Sequence, residues 1–199
     1  MKQTLVYDIG ENRYINLTNS CTLKCRFCPK TQNNPIVHQY NLGLDKNPSA
    51  SEYIDLIGDP KQFNEIVFCG FGEPTMRIEV LLEIAEFVKQ NGGRTRLNTD
   101  GLANHLHKRN VLADMEGLID AVSVSMNAQS ENVYKKHCQP SLEGSFKAML
   151  DFLKMAPEYI PEVTATAIEG LEDVDVDKCR EIAEGLGVSF RKRYLDVVG

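Results

Sequence analysis

Short runs rich in Val, Ile, Thr and Phe alternate with amphipathic runs along most of the chain, and this alternation limits the possible folds more than any other feature. Regular alternation of strands with helices predicts a parallel α/β sheet. At the start of the chain, Leu5–Ile9 and Tyr14–Leu17 flank Gly10-Glu11-Asn12, which predicts a β-hairpin. Most strand-like runs do not alternate strictly between apolar and polar residues, which indicates burial on both faces. The later strands are predicted at Glu65–Cys69, Arg94–Asn98, Ala121–Met126, Glu162–Ile168 and Ser189–Leu195.

The amphipathic runs carry apolar residues at the i, i+3, i+4, i+7 spacing of a helix. Ser49 and Glu52 have the spacing of a capping box, which predicts a helix that continues through Leu56. Gly92-Gly93 follows the first apolar stripe and predicts the end of its helix. The three stripes are Leu81, Ile84, Ala85 and Val88; Phe146, Met149, Leu150 and Leu153; and Cys179, Ile182, Ala183 and Leu186.

The length of the chain argues against a complete barrel. About six strand–helix units fit into 199 residues, whereas a complete eight-fold barrel typically needs ~250 residues. The sequence therefore predicts either a partial barrel or an open doubly wound sheet, and in both the functional groups lie at the carboxyl ends of the strands. Because no repeat, low-complexity tract or linker divides the chain, residues 1–199 are predicted to form a single domain.

Charge and hydropathy argue against several classes of function. The formal net charge is −6, so the chain lacks the broad basic surface that drives nonspecific nucleic-acid binding. No apolar stretch reaches the ~18 residues of a membrane span, and the apolar run at the N-terminus is too short for a signal peptide. These features predict a cytoplasmic protein with neither a nucleic-acid nor a membrane partner. In that reducing compartment the six cysteines are not expected to form disulfides.

Three of the six cysteines lie within eight residues, which points to a metal. Cys21-Thr-Leu-Lys-Cys25-Arg-Phe-Cys28 has the spacing C-x3-C-x2-C and follows a predicted strand. Three thiolates this close together can ligate three corners of an iron–sulfur cube and leave the fourth iron open to a substrate or cofactor. Two alternatives remain at this point. One is a structural zinc site completed by His38, and the other is a group of buried apolar cysteines, against which the polar Lys24 of the loop argues.

The other cysteines have simpler interpretations. Cys179 belongs to a helix stripe and is predicted to lie in the core, and Cys69 ends a strand and is predicted to pack there. Cys138 follows a short helix in a loop of the predicted active-site region, so it is a weak candidate for a catalytic residue. No second cysteine cluster is present in the sequence, and auxiliary clusters are therefore not predicted.

Polar motifs follow the next three strands at their predicted carboxyl ends. They are Gly70-Phe71-Gly72-Glu73-Pro74, Asn98-Thr99-Asp100-Gly101, and the run in which Ser123, Ser125 and Asn127 share one face. Glycines let a backbone approach a ligand closely, and a carboxylate or carbonyl can accept from an ammonium group. Taken alone, each motif also fits a structural role, namely a strand-to-helix turn, an Asp-Gly turn or a solvated edge strand.

Together these motifs resemble the radical S-adenosylmethionine (SAM) superfamily. Its hallmark is the C-x3-C-x2-C triad with an aromatic residue before the third cysteine, here Phe27. The second motif resembles the family's Gly-Gly-Glu, with Phe71 in place of the first glycine. The resemblance covers roughly residues 13–195 and implies a partial (β/α)6 TIM-like barrel with an N-terminal β-hairpin. It implies cluster ligands at Cys21, Cys25 and Cys28, a residue near adenine at Phe27, contacts to the methionine amine at Gly72 and Glu73, and contacts to the carboxylate or ribose at Asn98, Thr99 and Ser125.

The resemblance also implies an activity. A [4Fe–4S] cluster reduced by an external flavodoxin- or ferredoxin-type donor would cleave SAM to a 5′-deoxyadenosyl radical, which abstracts hydrogen from a small-molecule or macromolecular substrate. The chain looks most like the TatD-associated radical SAM proteins, on features that include Tyr40-Asn41-Leu42, Tyr134 and Cys138. Glycyl-radical-enzyme activases and 7-carboxy-7-deazaguanine synthases are similarly compact alternatives. A zinc-binding α/β module without enzymatic activity would explain the cysteines but not the polar motifs.

Residues late in the chain are candidates for the substrate pocket. Alternation places Arg191 and Arg193 on one face of the last strand, and arginine suits carboxylate or phosphate binding. An exposed edge strand protected by charge is the competing interpretation. Glu169, at another strand end, has an open role. The long polar segment Thr31–Lys46 is predicted to be either a lid or a partner surface.

Overall fold

The computed structural model describes residues 3–194, and all statements about the structure concern this range. The strands are β1 (Val6–Ile9), β2 (Asn12–Ile15), β3 (Ile36–Val37), β4 (Tyr40–Asn41), β5 (Ile66–Phe68), β6 (Thr95–Thr99), β7 (Ala121–Ser125), β8 (Glu162–Glu169) and β9 (Ser189–Tyr194). The α-helices are α1 (Ala50–Ile57), α2 (Ile78–Gln90), α3 (Ala103–His107), α4 (Leu112–Met115), α5 (Glu131–Cys138), α6 (Ser145–Met155) and α7 (Val176–Gly185). Single 3-10 turns lie at Pro60–Gln62, Pro74–Arg77 and Ala156–Glu158.

One curved sheet carries the fold. Its strand order is β1-β2-β5-β6-β7-β8-β9, with β1 antiparallel to β2 and the other neighbours parallel. Strands from both ends of the sheet line the same cavity, so the sheet curls, although β1 and β9 do not pair within the described residues. The prediction of a partial barrel that opens with a β-hairpin is therefore confirmed.

Strand boundaries differ from the predicted ones by one or two residues. The second strand ends at Ile15 rather than Leu17 because Asn16 leaves the ladder. The Asn16 side-chain amide donates to the carbonyl oxygens of Thr4 at 2.9 Å and Leu42 at 2.8 Å. The predicted last residue of the final strand, Leu195, lies outside the described residues.

The helices cover the outer face of the sheet with an apolar layer. In α2 the predicted stripe of Leu81, Ile84, Ala85 and Val88 is fully buried. The α1 capping box is present, with the Ser49 backbone N–H donating to Glu52 at 2.9 Å.

The stripe predicted for α6 is partly wrong. Phe146 and Leu150 are only half-buried, and the four buried positions are the predicted Met149 and Leu153 together with Phe152 and Ala156. These four also follow the i, i+3, i+4, i+7 spacing, so the sequence allowed two overlapping stripes. The sheet lies against the second one.

The inner face of the sheet is polar, and central strands such as β5 and β7 are buried on both faces, as predicted. Asn98, Ser123 and Thr166 project from this face into the cavity. At its base Glu65 accepts from Arg96 Nε and Nη2, both at 2.7 Å, and from Arg94 Nε at 3.1 Å. These bonds hold the pKa of Glu65 below its ordinary value although burial acts in the opposite direction.

The segment predicted as a lid or partner surface contains the small β3–β4 hairpin. Its Asn41 carbonyl accepts from the Thr4 backbone at 2.7 Å, and the Tyr40 hydroxyl donates to the Asp8 carbonyl at 3.0 Å. These contacts attach it to the N-terminal hairpin, and Val37 contributes to the cavity wall. No α-helix within residues 3–194 has the length and apolar content needed to cross a lipid bilayer.

Candidate active site

A cavity of about 390 Å³ lies at the carboxyl ends of the parallel strands. Its wall brings together residues that are far apart in sequence, from the cysteine loop, the glycine motif and the ends of β6 and β7. All nine residues predicted as cofactor or metal contacts line it, namely Cys21, Cys25, Phe27, Cys28, Gly72, Glu73, Asn98, Thr99 and Ser125.

The cysteine loop is anchored at the C-terminal end of α5. The Lys24 backbone N–H donates to the Cys138 carbonyl at 3.0 Å, and the Arg26 N–H donates to the His137 carbonyl at 2.9 Å. The last carbonyls of a helix have no partner within it, so the loop supplies partners that the helix end needs. These two backbone hydrogen bonds hold the cysteine loop at the C-terminal end of α5.

A second anchor joins the loop to the end of β6. The Thr22 hydroxyl donates to Asp100 Oδ2 at 2.9 Å, and the Asp100 Oδ1 accepts from the Leu102 backbone at 2.9 Å. Both Thr22 and Asp100 are buried, and burial raises the pKa of Asp100 to about 6. The sequence analysis did not predict the contact between these two residues, because they lie 78 positions apart in the sequence.

The surroundings of Cys21 and Cys25 disfavour the thiolate form of both side chains. Burial, followed by the charges of Asp100 and Glu73, raises the pKa of Cys21 to about 12. A hydrogen bond with Cys138, followed by burial, raises the pKa of Cys25. Metal coordination deprotonates a thiol outright, so a cationic iron site is the kind of partner that would stabilise three thiolates in this wall.

Within residues 3–194, no three His, Cys, Asp or Glu side chains converge in the manner of a single-ion site. Zinc needs four ligands converging on one point at about 2.0–2.3 Å. Three corners of a cube need one thiolate each, on separate irons. Cys21, Cys25 and Cys28 line one wall of the cavity.

The glycine motif packs directly on the backbone that leads into the cysteine loop. A Cβ atom at Gly70 would lie 2.2 Å from Asn16 Oδ1, and one at Gly72 would lie 2.4 Å from the Ser20 carbonyl oxygen. The Glu73 N–H donates to that same carbonyl at 2.8 Å. The glycines are therefore required by contact between backbones, and Asn16 is a positioning residue that the sequence did not reveal.

Glu73 is buried and its carboxylate is fully used by protein groups. Oε1 accepts from the Thr75 N–H at 3.1 Å and from the hydroxyls of Thr75 and Thr99, each at 2.8 Å. Oε2 accepts from the Asp100 N–H at 2.8 Å. Burial, followed by the charge of Asp100, raises the pKa of Glu73 to about 8. Glu73 thus ties the end of β5 to the end of β6.

Two buried amide oxygens in the cavity wall lack a partner. Asn98 Oδ1 and Asn127 Oδ1 accept no hydrogen bond among the described residues. Asn127 is 2% exposed and has a left-handed φ of 57°. Buried acceptors without donors are unfavourable by about 1–3 kcal/mol, so the two oxygens are available to accept hydrogen bonds from a ligand in the cavity.

The remaining candidates divide between the cavity and its surroundings. Cys69, predicted only to pack, lines the cavity. Cys138 is fully buried behind Cys25 and does not line it, which argues against direct catalysis. Glu169 pairs with Lys192 at 2.9 Å outside the cavity. Cys179 is fully buried on α7, as predicted.

A family model agrees with this site. The model named Radical SAM superfamily matches residues 15–184, which include the cysteine triad and all three polar motifs. The chain therefore belongs to the radical SAM superfamily and is an enzyme. Membership implies SAM and an iron–sulfur cluster as cofactors. No curated protein is significantly similar to this sequence.

Solved structures with a similar fold include two of SuiB and one of methylornithine synthase. Streptococcus suis SuiB bound to S-adenosylmethionine has a TM-score of 0.65 at 13% identity, over 92% of this chain and 38% of that one. SuiB bound to its precursor peptide SuiA has a TM-score of 0.64 at 14% identity, over 96% and 40%. Methylornithine synthase (PylB) has a TM-score of 0.63 at 15% identity, over 93% and 53%. The chain thus spans about half or less of these proteins, and the likeness concerns the fold.

Proposed function

We propose that this chain holds one [4Fe–4S] cluster through Cys21, Cys25 and Cys28 and reductively cleaves SAM to a 5′-deoxyadenosyl radical, which abstracts hydrogen from a substrate. The observation that carries the proposal is that the thiols, the glycine motif and two unpartnered amide oxygens line a single cavity. A cytoplasmic reductant of the flavodoxin or ferredoxin type would supply the electron. The closer kinship with the TatD-associated proteins forms part of this proposal.

The chain's own residues bind and orient the cofactor. The Gly70–Gly72 backbone approaches the cysteine loop closely, so its carbonyl oxygens are the acceptors left for the methionine ammonium group. Glu73 contributes by positioning that backbone, since its carboxylate oxygens already accept four hydrogen bonds. Asn98, Thr99 and Ser125 are assigned to the methionine carboxylate or ribose, and Phe27 to the adenine.

The wall also excludes side reactions. Phe27 and Phe71 contribute apolar surface beside the cysteines, and a dry, enclosed site protects a reactive radical from solvent. The protein's part in this chemistry is binding, orientation and exclusion, since the cofactor supplies the reaction itself.

Cluster binding and SAM cleavage test the proposal in sequence. After anaerobic reconstitution, wild-type protein should bind about four irons per chain, and dithionite with SAM should yield 5′-deoxyadenosine on chromatography. Cys25→Ala should lose both. Cys179→Ala removes a cysteine buried away from the cavity and should retain both.

Two results would contradict the proposal. One is a colourless, iron-free wild-type protein that binds zinc and leaves SAM intact. The other is normal iron content and normal cleavage in Cys25→Ala, since a cube held by three cysteines cannot lose one and keep its anchoring.

A further inference from the structure

The inner face of β9 brings positive charge to the cavity at the edge of the sheet. Arg191 and Arg193 line the cavity, and Arg191 is in register with Thr166, which is in register with Ser125. Lys192 lies on the opposite face, where it donates to Glu169 at 2.9 Å. The two arginines therefore face the candidate active site. Of the two interpretations that the sequence left open, this placement favours a role in the substrate pocket over protection of an exposed edge strand.

The positive charge of Arg191 is not paired directly with a carboxylate within the described residues. Arg96, the third guanidinium of the inner face, is neutralised by Glu65. Arg191 forms no hydrogen bond or ion pair with any residue in the range 3–194. Burial, followed by the charges of Arg193 and Arg96, lowers the pKa of Arg191. Neighbouring guanidinium groups at a partly enclosed wall repel each other, and an anion bound at Arg191 would reduce this repulsion.

Apolar and aromatic side chains also line the cavity. Tyr7 and Ile9 of the N-terminal hairpin contribute to it, together with Val37 of β3 and Phe71 of the glycine motif. Tyr7 stacks on Tyr14 with ring centroids 5.2 Å apart. The lining of the cavity thus combines apolar and cationic side chains, a combination that fits an amphipathic anion.

We propose that Arg191 and Arg193 bind the carboxylate or phosphate group of the substrate, while the wall around Tyr7 and Phe71 receives its apolar body. The identity of this ligand as the substrate rests on the proposed function. A guanidinium presents a planar fork of donors that matches an oxyanion bidentately. The groups assigned to SAM come from the cysteine loop and from β5 to β7, so the arginines of β9 remain for a second ligand.

Equilibrium dialysis with matched probes tests the anion site. The probes are labelled benzoate and phenyl phosphate, with benzamide as the neutral analogue, against reconstituted protein saturated with SAM. At least one anion should bind saturably and benzamide should not. Arg191→Gln should weaken anion binding about tenfold or more, because a hydrogen-bonded charge is lost. Arg191→Lys should weaken it less.

Lys192→Gln is the matched control, because it removes the same charge from the same strand on the opposite face. Its anion affinity should stay within about twofold of the wild type, since exposed charges act weakly. Failure of both anions to bind wild-type protein, or equal weakening by the Arg191 and Lys192 variants, overturns the proposal.

The SAM affinity of each variant separates the two anionic ligands. It should be unchanged in Arg191→Gln, whereas a loss of SAM affinity with unchanged anion binding would assign Arg191 to the SAM carboxylate and overturn the proposal. Because the dialysis contains no reductant, it reports on the anion site whether or not SAM is cleaved. Its failure is therefore distinguishable from failure of the proposed radical chemistry.

Discussion

Replacing Gly72 with alanine tests how tightly the glycine motif is packed on the cysteine loop. A Cβ atom there would lie 2.4 Å from the Ser20 carbonyl oxygen and 2.5 Å from that of Thr18. Both partners are backbone atoms, and the Glu73 N–H ties the same segment to Ser20 at 2.8 Å. Neither side can rotate away, so the motif must move by about 0.6 Å to reach even the shortest normal contact of 3.0 Å.

Such overpacking typically costs about 1–3 kcal/mol. For a protein of this size, each 1 kcal/mol lowers Tm by about 2–4 °C, so Gly72→Ala should lower Tm by about 2–12 °C in a circular-dichroism melt. SAM affinity of the reconstituted protein should fall as well, because the displaced carbonyls are the proposed acceptors.

Gly185→Ala is the control for this substitution. It lies at the end of α7, where an added Cβ meets nothing within 4 Å, and alanine in a helix is favoured over glycine by about 0.5–1 kcal/mol. Its Tm should be unchanged or slightly raised. Equal Tm and equal SAM affinity in the two alanine variants would refute the argument that backbone contact requires Gly72.

Three further substitutions follow from individual contacts. Asp120→Asn removes the ion pair with Lys89 and weakens the bonds from Thr95, so urea unfolding at pH 7 should show a loss of about 1–2 kcal/mol. Burial opposes ionisation of Asp120, but these partners hold its pKa below the ordinary value. The loss should thus be full above about pH 5 and shrink below about pH 4. Asn127→Gly keeps the left-handed backbone and removes the unpartnered oxygen, so SAM should bind about three- to tenfold more weakly in dialysis. Glu73→Gln places an amide against a backbone donor and should destabilise the protein by about 1–3 kcal/mol in urea.

Local patterns predicted most of the fold. The alternation of strand-like runs with helix-like runs along the chain located every strand of the main sheet. The spacing of Ser49 and Glu52 located the start of α1. The motifs that line the cavity were found because each follows a strand, and strand ends of a parallel sheet meet at one edge. These signals act over a few residues, which is why a single sequence reveals them.

The contacts that position the site could not be predicted in the same way. The bond from Thr22 to Asp100 joins residues 78 positions apart, and the Asn16 side chain reaches the Phe71 backbone across 55 positions. Polar residues in turns have many possible partners, so their chemistry does not identify which one they meet. The direction of Arg191 was similarly open, because alternation gives two faces without saying which is the inner one.

The polarity of the inner face is itself an argument for function. Barrels that serve only stability fill their interior with branched apolar side chains, whereas this interior carries Asn98, Ser123, Thr166 and two arginines. Burying polar groups without full satisfaction is unfavourable, and the Asn98 Oδ1 atom accepts no hydrogen bond among the described residues. A chain selected for stability alone would replace these side chains, so their arrangement around a cavity is explained by ligands that complete the missing hydrogen bonds.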